Sequence, residues 1–312
     1  ASPVSSKRST RAPPTVAAPS GTATGPGGLC AGSLTPQTVS ARSLPGPSGR
    51  PGCRAETGPG PSRVRGMSTA EKAILHVLPP SHPCLTAEAA LRHKGVEYEK
   101  VDLEMGRHGD RMEELYGEGR RTVPGLTIGE ERIHGSVPIL ERLEELYPEN
   151  PLYPEPIAAE VSAAERWADG QLQDMGRRLP WGALHFRPEA MGTLAGGGSL
   201  DPAGTDFAIK FVRASWKYHS LTAVQLAEDL EALPGLIDEI EGFAERGLID
   251  GAEPTAADLQ IGATIRVLLT VGDLEPVLAG SAAERVARRR FPDYPGLIPA
   301  GAFPAGWVKP RG

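Results

Sequence analysis

The order of periodic segments between residues 72 and 147 constrains the fold of this chain more than any other feature. Lys72–Leu78 reads as a buried strand, because large aliphatic side chains crowd into seven residues. The pattern then becomes helical from Cys84 to Lys94, where Gly95 is placed to end the helix. Glu97–Leu103 reads as a second strand. These segments predict a strand, a helix and a strand in direct succession.

A second group of elements follows in the same region. Residues 105–120 are polar and contain glycine, which predicts a loose helix or a loop. Thr122–Ile128 and Glu131–His134 form a hairpin pattern, and the next helix is capped by Ser136 and ended by Pro148. A strand-helix-strand unit followed by a strand-strand-helix unit implies a mixed sheet with helices on both faces.

Residues 67–312 form the body of the chain, and beyond residue 147 the body carries no strand pattern. A proline-stiffened linker is predicted at residues 148–156. The predicted elements beyond it are helices at Ile157–Arg177, Phe207–Leu233, Leu236–Arg246 and Thr255–Leu269, with a glycine-rich loop at Gly192–Gly204. Thr255 and Asp258 have the spacing of a capping box. We therefore expect an α/β domain at residues 67–147 and an all-α domain at residues 157–312.

Residues 1–66 differ in composition from the rest of the chain. They hold eight Lys and Arg residues against one acidic residue, and they are rich in Pro, Gly and Ser. Such a segment buries too little apolar surface to offset its ordering entropy, so we expect it to be disordered. Three interpretations stay open: translation begins at Met67, the segment is an Arg- and Ser-rich transit peptide, or it is an RNA-binding arm. The third is the weakest, because the basic residues have no aromatic neighbours.

The composition of the body excludes several classes of protein. Its acidic balance argues against nucleic acid as a partner, and no apolar run approaches the length of a membrane span. Cys30 and Cys53 lie in the N-terminal segment, so Cys84 alone cannot form a disulfide framework, which favours a reducing compartment. The scattered histidines predict no metal site. We expect a cytoplasmic protein, or an organellar one if residues 1–66 are a transit peptide.

The candidate reactive side chains lie together in the segment Ser81-His-Pro-Cys84, where the first predicted strand ends and a helix begins. A helix N-terminus leaves N–H groups unpaired and stabilises an anion such as a thiolate. Either the Ser81 hydroxyl donates to the thiolate of a bound small molecule, or Cys84 is itself the reactive thiolate. The simplest alternative is that Ser81 caps the helix and Cys84 packs in the core. Cys84 shares a face with Ala87 and Leu91, which favours Ser81 as the contact. His82 is expected to be exposed in the loop.

Two further elements suggest a binding site. If the Val123–Pro124 bond is cis, the turn presents extended backbone that a peptide can pair with as an added strand. At Gly135-Ser136 a hydroxyl and the N–H groups of a helix start can bind a carboxylate. Three such elements on separate loops could together hold one small anionic peptide.

These residues resemble the cytosolic glutathione S-transferase family, in its serine/cysteine-type, bacterial-like form. The motifs that carry the resemblance are Ser81-His-Pro-Cys84, Thr122-Val-Pro-Gly-Leu126, the helix from Ser136 into Pro148-Glu-Asn-Pro-Leu-Tyr-Pro154, and Pro254-Thr-Ala-Ala-Asp258. The resemblance covers about residues 70–275. It implies a thioredoxin-like N-terminal domain followed by an all-helical domain.

The resemblance also implies a site. Pro124 would be cis, Val123 would pair through its backbone with the cysteinyl part of glutathione, and Ser136 would bind the γ-glutamyl carboxylate. Ser81 stands at the position of the catalytic residue in serine- and cysteine-type members. Thr255 and Asp258 would be structural.

The expected activity is thiol conjugation, with glutathione as co-substrate, an electrophile as second substrate, a role in detoxification and a homodimeric assembly. The electrophile pocket is predicted near Trp167 and Trp181. Gly135 departs from the family pattern, which usually has Glu or Asp there, so another low-molecular-weight thiol is an open alternative. Two other hypotheses about the function also remain: monothiol disulfide exchange through Cys84, and a non-catalytic binding or assembly module.

Overall fold

A computed structural model describes residues 72–79, 81–293 and 296–311 of the chain. The N-terminal segment 1–66, with Cys30 and Cys53, lies outside the described residues, as does Met67. The interpretations of that segment therefore stay predictions.

The N-terminal half is built on one four-stranded sheet. Its strands are β1 (Ala73–Val77), β2 (Tyr98–Asp102), β3 (Gly125–Ile128) and β4 (Glu131–His134). They lie in the order β2-β1-β3-β4, with β1 parallel to β2 and β3 antiparallel to both β1 and β4. The predicted mixed sheet is confirmed. β3 begins three residues later than predicted, after Pro124, which has no N–H to donate to a strand ladder.

Helices lie on both faces of this sheet, as the element order predicts. They are α1 (His82–His93), α2 (His108–Tyr116) and α3 (Ser136–Leu146). α1 and α3 contact each other. α2 approaches the sheet through Tyr116, whose hydroxyl lies 2.8 Å from Nδ1 of His76. Because side chains alternate along a strand, Leu75 and Val77 point to the opposite face, where they are buried. The thioredoxin-like fold of this half is confirmed.

Gly125 allows α2 to pack against the sheet. A Cβ atom at this position would lie 2.4 Å from the Tyr116 ring and 2.7 Å from the Met112 methyl group. No side chain therefore fits at Gly125 without displacing the side chains of Tyr116 and Met112.

The regular elements among the described residues of the C-terminal half are all helices, and one isolated bridge joins Val271 and Ile298. Its helices are α4 (Ala158–Trp167), α5 (Gln173–Phe186), α6 (Met191–Leu194), α7 (Pro202–Tyr218), α8 (Ala223–Glu245), α9 (Ala256–Leu268), α10 (Glu275–Leu278) and α11 (Ala282–Arg290). Every residue of α9 is buried, and this helix contacts α1, α4, α5 and α11. The expected helical second half is confirmed, whereas the exact domain limits stay predictions.

The predicted capping box at the start of α9 is present. The Thr255 side chain accepts from the Asp258 N–H at 3.1 Å, and the Asp258 carboxylate accepts from the Thr255 N–H at 2.9 Å. Asp258 also accepts from the Asp250 N–H. These bonds satisfy donors that a buried helix start would otherwise leave unpaired.

Two helix boundaries differ from the prediction. α8 runs through Pro234, and the break falls at residues 219–222, where Ser220 has a φ of 52° and Thr222 caps α8 through the Gln225 N–H. Apolar burial continues at helical spacing on both sides of Pro234, and this packing outweighs the lost backbone bond. The predicted helix at residues 157–177 is interrupted by a π-helical turn at Ala168–Leu172 and extends to Phe186.

A buried carboxyl group lies on α4. Glu165 is fully buried, and one of its oxygens accepts from the Tyr153 hydroxyl at 2.7 Å. Its other oxygen has no partner among the described residues. Burial raises the pKa of Glu165 to about 8, so the folded protein holds this proton where an unfolded chain releases it.

We expect the Glu165→Gln variant to gain stability over the wild type as the pH rises. A raised pKa in the folded state makes the free energy of unfolding fall between about pH 4.5 and 8, by up to about 1.4 kcal/mol per pH unit. Glutamine removes this dependence. Urea unfolding at pH 5, 7 and 9 measures it, with Glu160→Gln on the exposed side of the same helix as the control. Equal pH dependence in the Glu165→Gln variant and the wild type would contradict the prediction.

Candidate functional site

Strand register brings three loops to one edge of the sheet. Gly125, the first residue of β3, lies opposite both His76 of β1 and His134 of β4. The loop that follows β1, the loop that precedes β3 and the turn that follows β4 therefore meet at this edge. These are the three loops that carry the candidate binding residues of the sequence.

Two of the three loops are joined by hydrogen bonds. The Val123–Pro124 bond is cis, as the resemblance implies. The Pro124 carbonyl accepts from the Gly135 N–H at 3.0 Å. His134 Nε2 lies 2.9 Å from the carbonyl oxygen of Thr122, a second link between the same loops. The structure thus places Val123 and Pro124 beside Gly135 and Ser136.

The backbone of Val123 is available for pairing. Among the described residues, neither its N–H nor its carbonyl makes a hydrogen bond. The residue is half-buried, and it lies just before β3 begins at Gly125. An extended ligand could use both groups as an added strand does.

Ser136 is the first residue of α3 and not its cap, which corrects the prediction. Gly135 is the N-cap, with a φ of 97° that favours glycine. Ser136 is only 3% exposed. Its hydroxyl and the free N–H groups of the first turn form the kind of cradle that binds a carboxylate.

Ser81 is the N-cap of α1, but its side chain makes no capping hydrogen bond. Its carbonyl oxygen accepts from the N–H groups of Cys84 and Leu85 at 3.1 and 3.2 Å. Ser81 is half-buried, and its side chain acts to lower the pKa of the Cys84 thiol. The interpretation of Ser81 as a simple side-chain cap is therefore not supported.

Cys84 points into the core. It is 4% exposed and packs with the other apolar residues of α1 and the sheet. Burial raises the pKa of its thiol to about 11, although hydrogen bonds from the Ser81 side chain and the Leu78 backbone act in the opposite direction. The thiol is protonated at neutral pH, which argues against Cys84 as a reactive thiolate.

His82 is buried, and the expectation of an exposed loop residue is wrong. It is 4% exposed, and its Nε2 lies 3.1 Å from the carbonyl oxygen of Gln173 in α5. Burial, reinforced by the positive charge of Arg177, lowers the pKa of His82 to about 3. The neutral ring therefore donates from Nε2 to the carbonyl. Local sequence could not show this contact, since its partner lies 91 residues away.

The two tryptophans proposed for an electrophile pocket contact different helices. The ring of Trp167 packs edge-on against Phe243 of α8, with centroids 5.0 Å apart. Trp181 packs against Phe211 of α7, and its carbonyl accepts from the Trp216 indole N–H at 3.1 Å. A pocket shared by both residues stays a prediction.

Two cavities lie within the helical half. One, of about 440 Å³, is lined by polar groups that include Glu241, Asp250 and Arg285. The other, of about 220 Å³, lies beside His185 and Arg213. Neither is lined by a residue of the three loops.

Among the described residues, no cluster of His, Cys, Asp and Glu side chains is suited to a metal ion. Within the same part of the chain, no helix has both the length and the apolar character needed to cross a bilayer.

A comparison with protein families finds a match within the N-terminal half. Residues 75–151 match the family model of the glutathione S-transferase N-terminal domain. The match confirms the resemblance to the glutathione S-transferase family, and residues 75–151 are the part of this chain that carries it. A comparison with curated proteins finds no match.

Solved structures of similar fold include the following three. A β-etherase from Sphingobium sp. strain SYK-6 is 20% identical, with a TM-score of 0.47 over 62% of this chain and 82% of that one. A Tau class glutathione S-transferase from mango, Mangifera indica, is 16% identical, with a TM-score of 0.46 over 76% and 94%. A GST-like protein from Pseudomonas syringae is 21% identical, with a TM-score of 0.47 over 75% and 76%.

Gly135 has a φ of 97°, a backbone conformation that residues with a Cβ atom rarely adopt. We therefore expect Gly135→Ala to destabilise the protein by about 1–2 kcal/mol. The space around a Cβ atom is sufficient, since its nearest neighbour is Pro138 Cδ at 3.5 Å, so the cost is conformational. Gly235→Ala in α8 is the matched control, because its Cβ would meet nothing within 4 Å. There alanine should stabilise the helix by about 0.4–1 kcal/mol. Shifts of the same sign in thermal unfolding would contradict this account.

Proposed function

We propose that this chain is a glutathione S-transferase-like enzyme that binds a low-molecular-weight thiol and activates it as a thiolate. The observation that carries the proposal is the Ser81 hydroxyl, which caps no backbone group and lies at the N-terminus of α1. The loop that bears it meets the other two candidate loops at one edge of the sheet. The family match of residues 75–151 supports the same site.

Each loop has a separate role in this proposal. The free N–H and carbonyl of Val123 pair with the backbone of the thiol ligand. Ser136 and the first turn of α3 hold a carboxylate of that ligand. Ser81 donates a hydrogen bond to the ligand's sulfur.

These groups can supply the free energy that is needed to stabilise a thiolate. Lowering a thiol pKa by two units corresponds to about 2.7 kcal/mol. A hydrogen bond to a charged group contributes about 1.5–3 kcal/mol, and a helix N-terminus about 0.3–1 kcal/mol. The thiol proton passes to solvent, the sulfur attacks the electrophile, and the leaving group departs with the electron pair.

The identity of the thiol depends on Gly135. Glutathione is the co-substrate that the family implies, yet the family's acidic side chain is missing here. Another low-molecular-weight thiol, or a non-catalytic binding role, is the alternative that this residue favours. The burial of Cys84 disfavours the monothiol exchange route. Homodimerisation, a cytoplasmic location and a role in detoxification stay predictions.

We expect Ser81→Ala to lower the turnover of thiol conjugation by tenfold or more, because it removes the donor to the thiolate. Cys84→Ala is the comparison variant at the same junction, and it should retain conjugation. Steady-state rates with a chromogenic electrophile measure both variants. Normal turnover in Ser81→Ala would remove Ser81 from the mechanism, and loss of activity in Cys84→Ala alone would transfer the role to Cys84.

We expect residues 67–312 to bind glutathione with a dissociation constant in the micromolar to millimolar range, and Ser136→Ala to weaken this binding. The reason is the loss of a donor to the ligand's carboxylate. Isothermal titration calorimetry measures both. Absence of binding would show that glutathione binding is lost together with the acidic side chain that Gly135 replaces. Other thiols and protein partners would then be tested.

A further inference from the structure

The residue next to Ser81 connects the candidate site to the helical half. His82 Nε2 donates to the Gln173 carbonyl, and the ring is buried between α1 and α5. Ser81 and His82 share one peptide bond, so the position of the His82 backbone constrains that of Ser81. The hydroxyl proposed to activate the thiol is therefore one residue away from an anchor in the other half of the chain.

The surrounding helix is shaped to accept the imidazole. Gly176, one turn after Gln173, leaves the space that the ring occupies. A Cβ atom there would lie 3.1 Å from Cε1 and Nε2 of His82 and 2.8 Å from the Thr264 methyl group. The first distance is tighter than ordinary contact and the second requires a shift, so a larger residue would displace the ring.

The acceptor is itself held in place. Gln173 directly follows the π-helical turn, and its N–H bonds to the Ala168 carbonyl five residues earlier. Its side chain donates to Asp169 at 2.6 Å, and Asp169 also accepts from Gln260 of α9 at 3.0 Å. π-Helical turns are rare and frequently occur at functional sites. This network connects Gln173 to α9 through Asp169.

A second contact holds the start of α1. The Thr86 hydroxyl, one turn after His82, lies 3.3 Å from the carbonyl of His82 and 3.3 Å from that of Leu259 in α9. The first turn of α1 therefore has fixed neighbours on α5 and on α9. The peptide that carries Ser81 enters this fixed turn.

We propose that His82 is a positioning residue that orients the Ser81 hydroxyl by anchoring the start of α1 to the Gln173 carbonyl. The inference rests on the proposed function in one respect, since it assigns the purpose of the anchor to thiol activation. The anchor itself is a property of the folded chain and can be measured without any thiol.

The test compares His82→Leu, which removes the donor, with His82→Gln, whose amide nitrogen replaces Nε2. His93→Leu is the matched control, because it makes the same change on the same helix about 16 Å from His82. We expect His82→Leu to lower kcat by about tenfold, with KM little changed, and to raise the apparent pKa of the bound thiol in the rate–pH profile. His82→Gln should recover most of both effects, and His93→Leu should alter only the melting temperature.

Gly176→Ala provides an independent route to the same displacement, in case His82→Leu fails to fold. It should shift the rate–pH profile in the same direction as His82→Leu. Combined with His82→Gln, it should have an effect that is not the sum of the two single effects. A folded His82→Leu or Gly176→Ala variant with the wild-type kcat and pH profile would overturn the proposal.

A measurement without substrate separates this inference from the proposed function. Nitrogen NMR of the wild-type imidazole should show a neutral ring protonated at Nε2 from pH 5 to 8. Amide exchange in the first turn of α1 should accelerate in the leucine variant and stay slow in the glutamine variant. If conjugation is absent but exchange behaves in this way, the proposed function fails and the anchor stands. Exchange that is unchanged in the leucine variant overturns the anchor, whatever the activity.

Discussion

The packing of α1 between the sheet and α9 is the contact on which the rest of this structure depends. One face of α1 buries Ala87 and Leu91 in the core of the thioredoxin-like half, while Thr86 bonds to a carbonyl of α9. A helix that is buried on two sides cannot move its N-terminus independently. The candidate thiol site begins at that N-terminus, so its geometry belongs to both halves of the chain.

Burial gives the three polar residues of the Ser81-His-Pro-Cys84 junction different roles. The Cys84 thiol faces the core and stays protonated, the His82 ring lies between helices and stays neutral, and the Ser81 hydroxyl remains partly accessible. Desolvation is the largest cause of both pKa shifts, because burial disfavours the charged form of each group. The charged form of the thiol is the deprotonated one, so its pKa rises. The charged form of the imidazole is the protonated one, so its pKa falls. Ser81 is therefore the residue of this junction best suited to contact a ligand.

α9 shows how the second half supports the first. It is buried along its whole length and starts at a capping box that leaves no orphan donor at Thr255. Through Gln260 it also holds Asp169, a residue of the π-helical turn. The same helix thus supports α1 directly and the acceptor of His82 indirectly, which connects the stability of the helical half to the geometry of the site.

The sequence by itself determined the element order of the N-terminal half, the mixed sheet, the helical character of the second half, the capping box and the three loops that carry the candidate residues. Each of these depends on local periodicity, on a short capping motif or on a family motif that lies within a few consecutive residues. Only the tertiary structure decided that His82 is buried, that α8 continues through Pro234 and that Trp167 and Trp181 contact different helices. Such features depend on contacts between residues far apart in the chain, where packing and desolvation outweigh local preference.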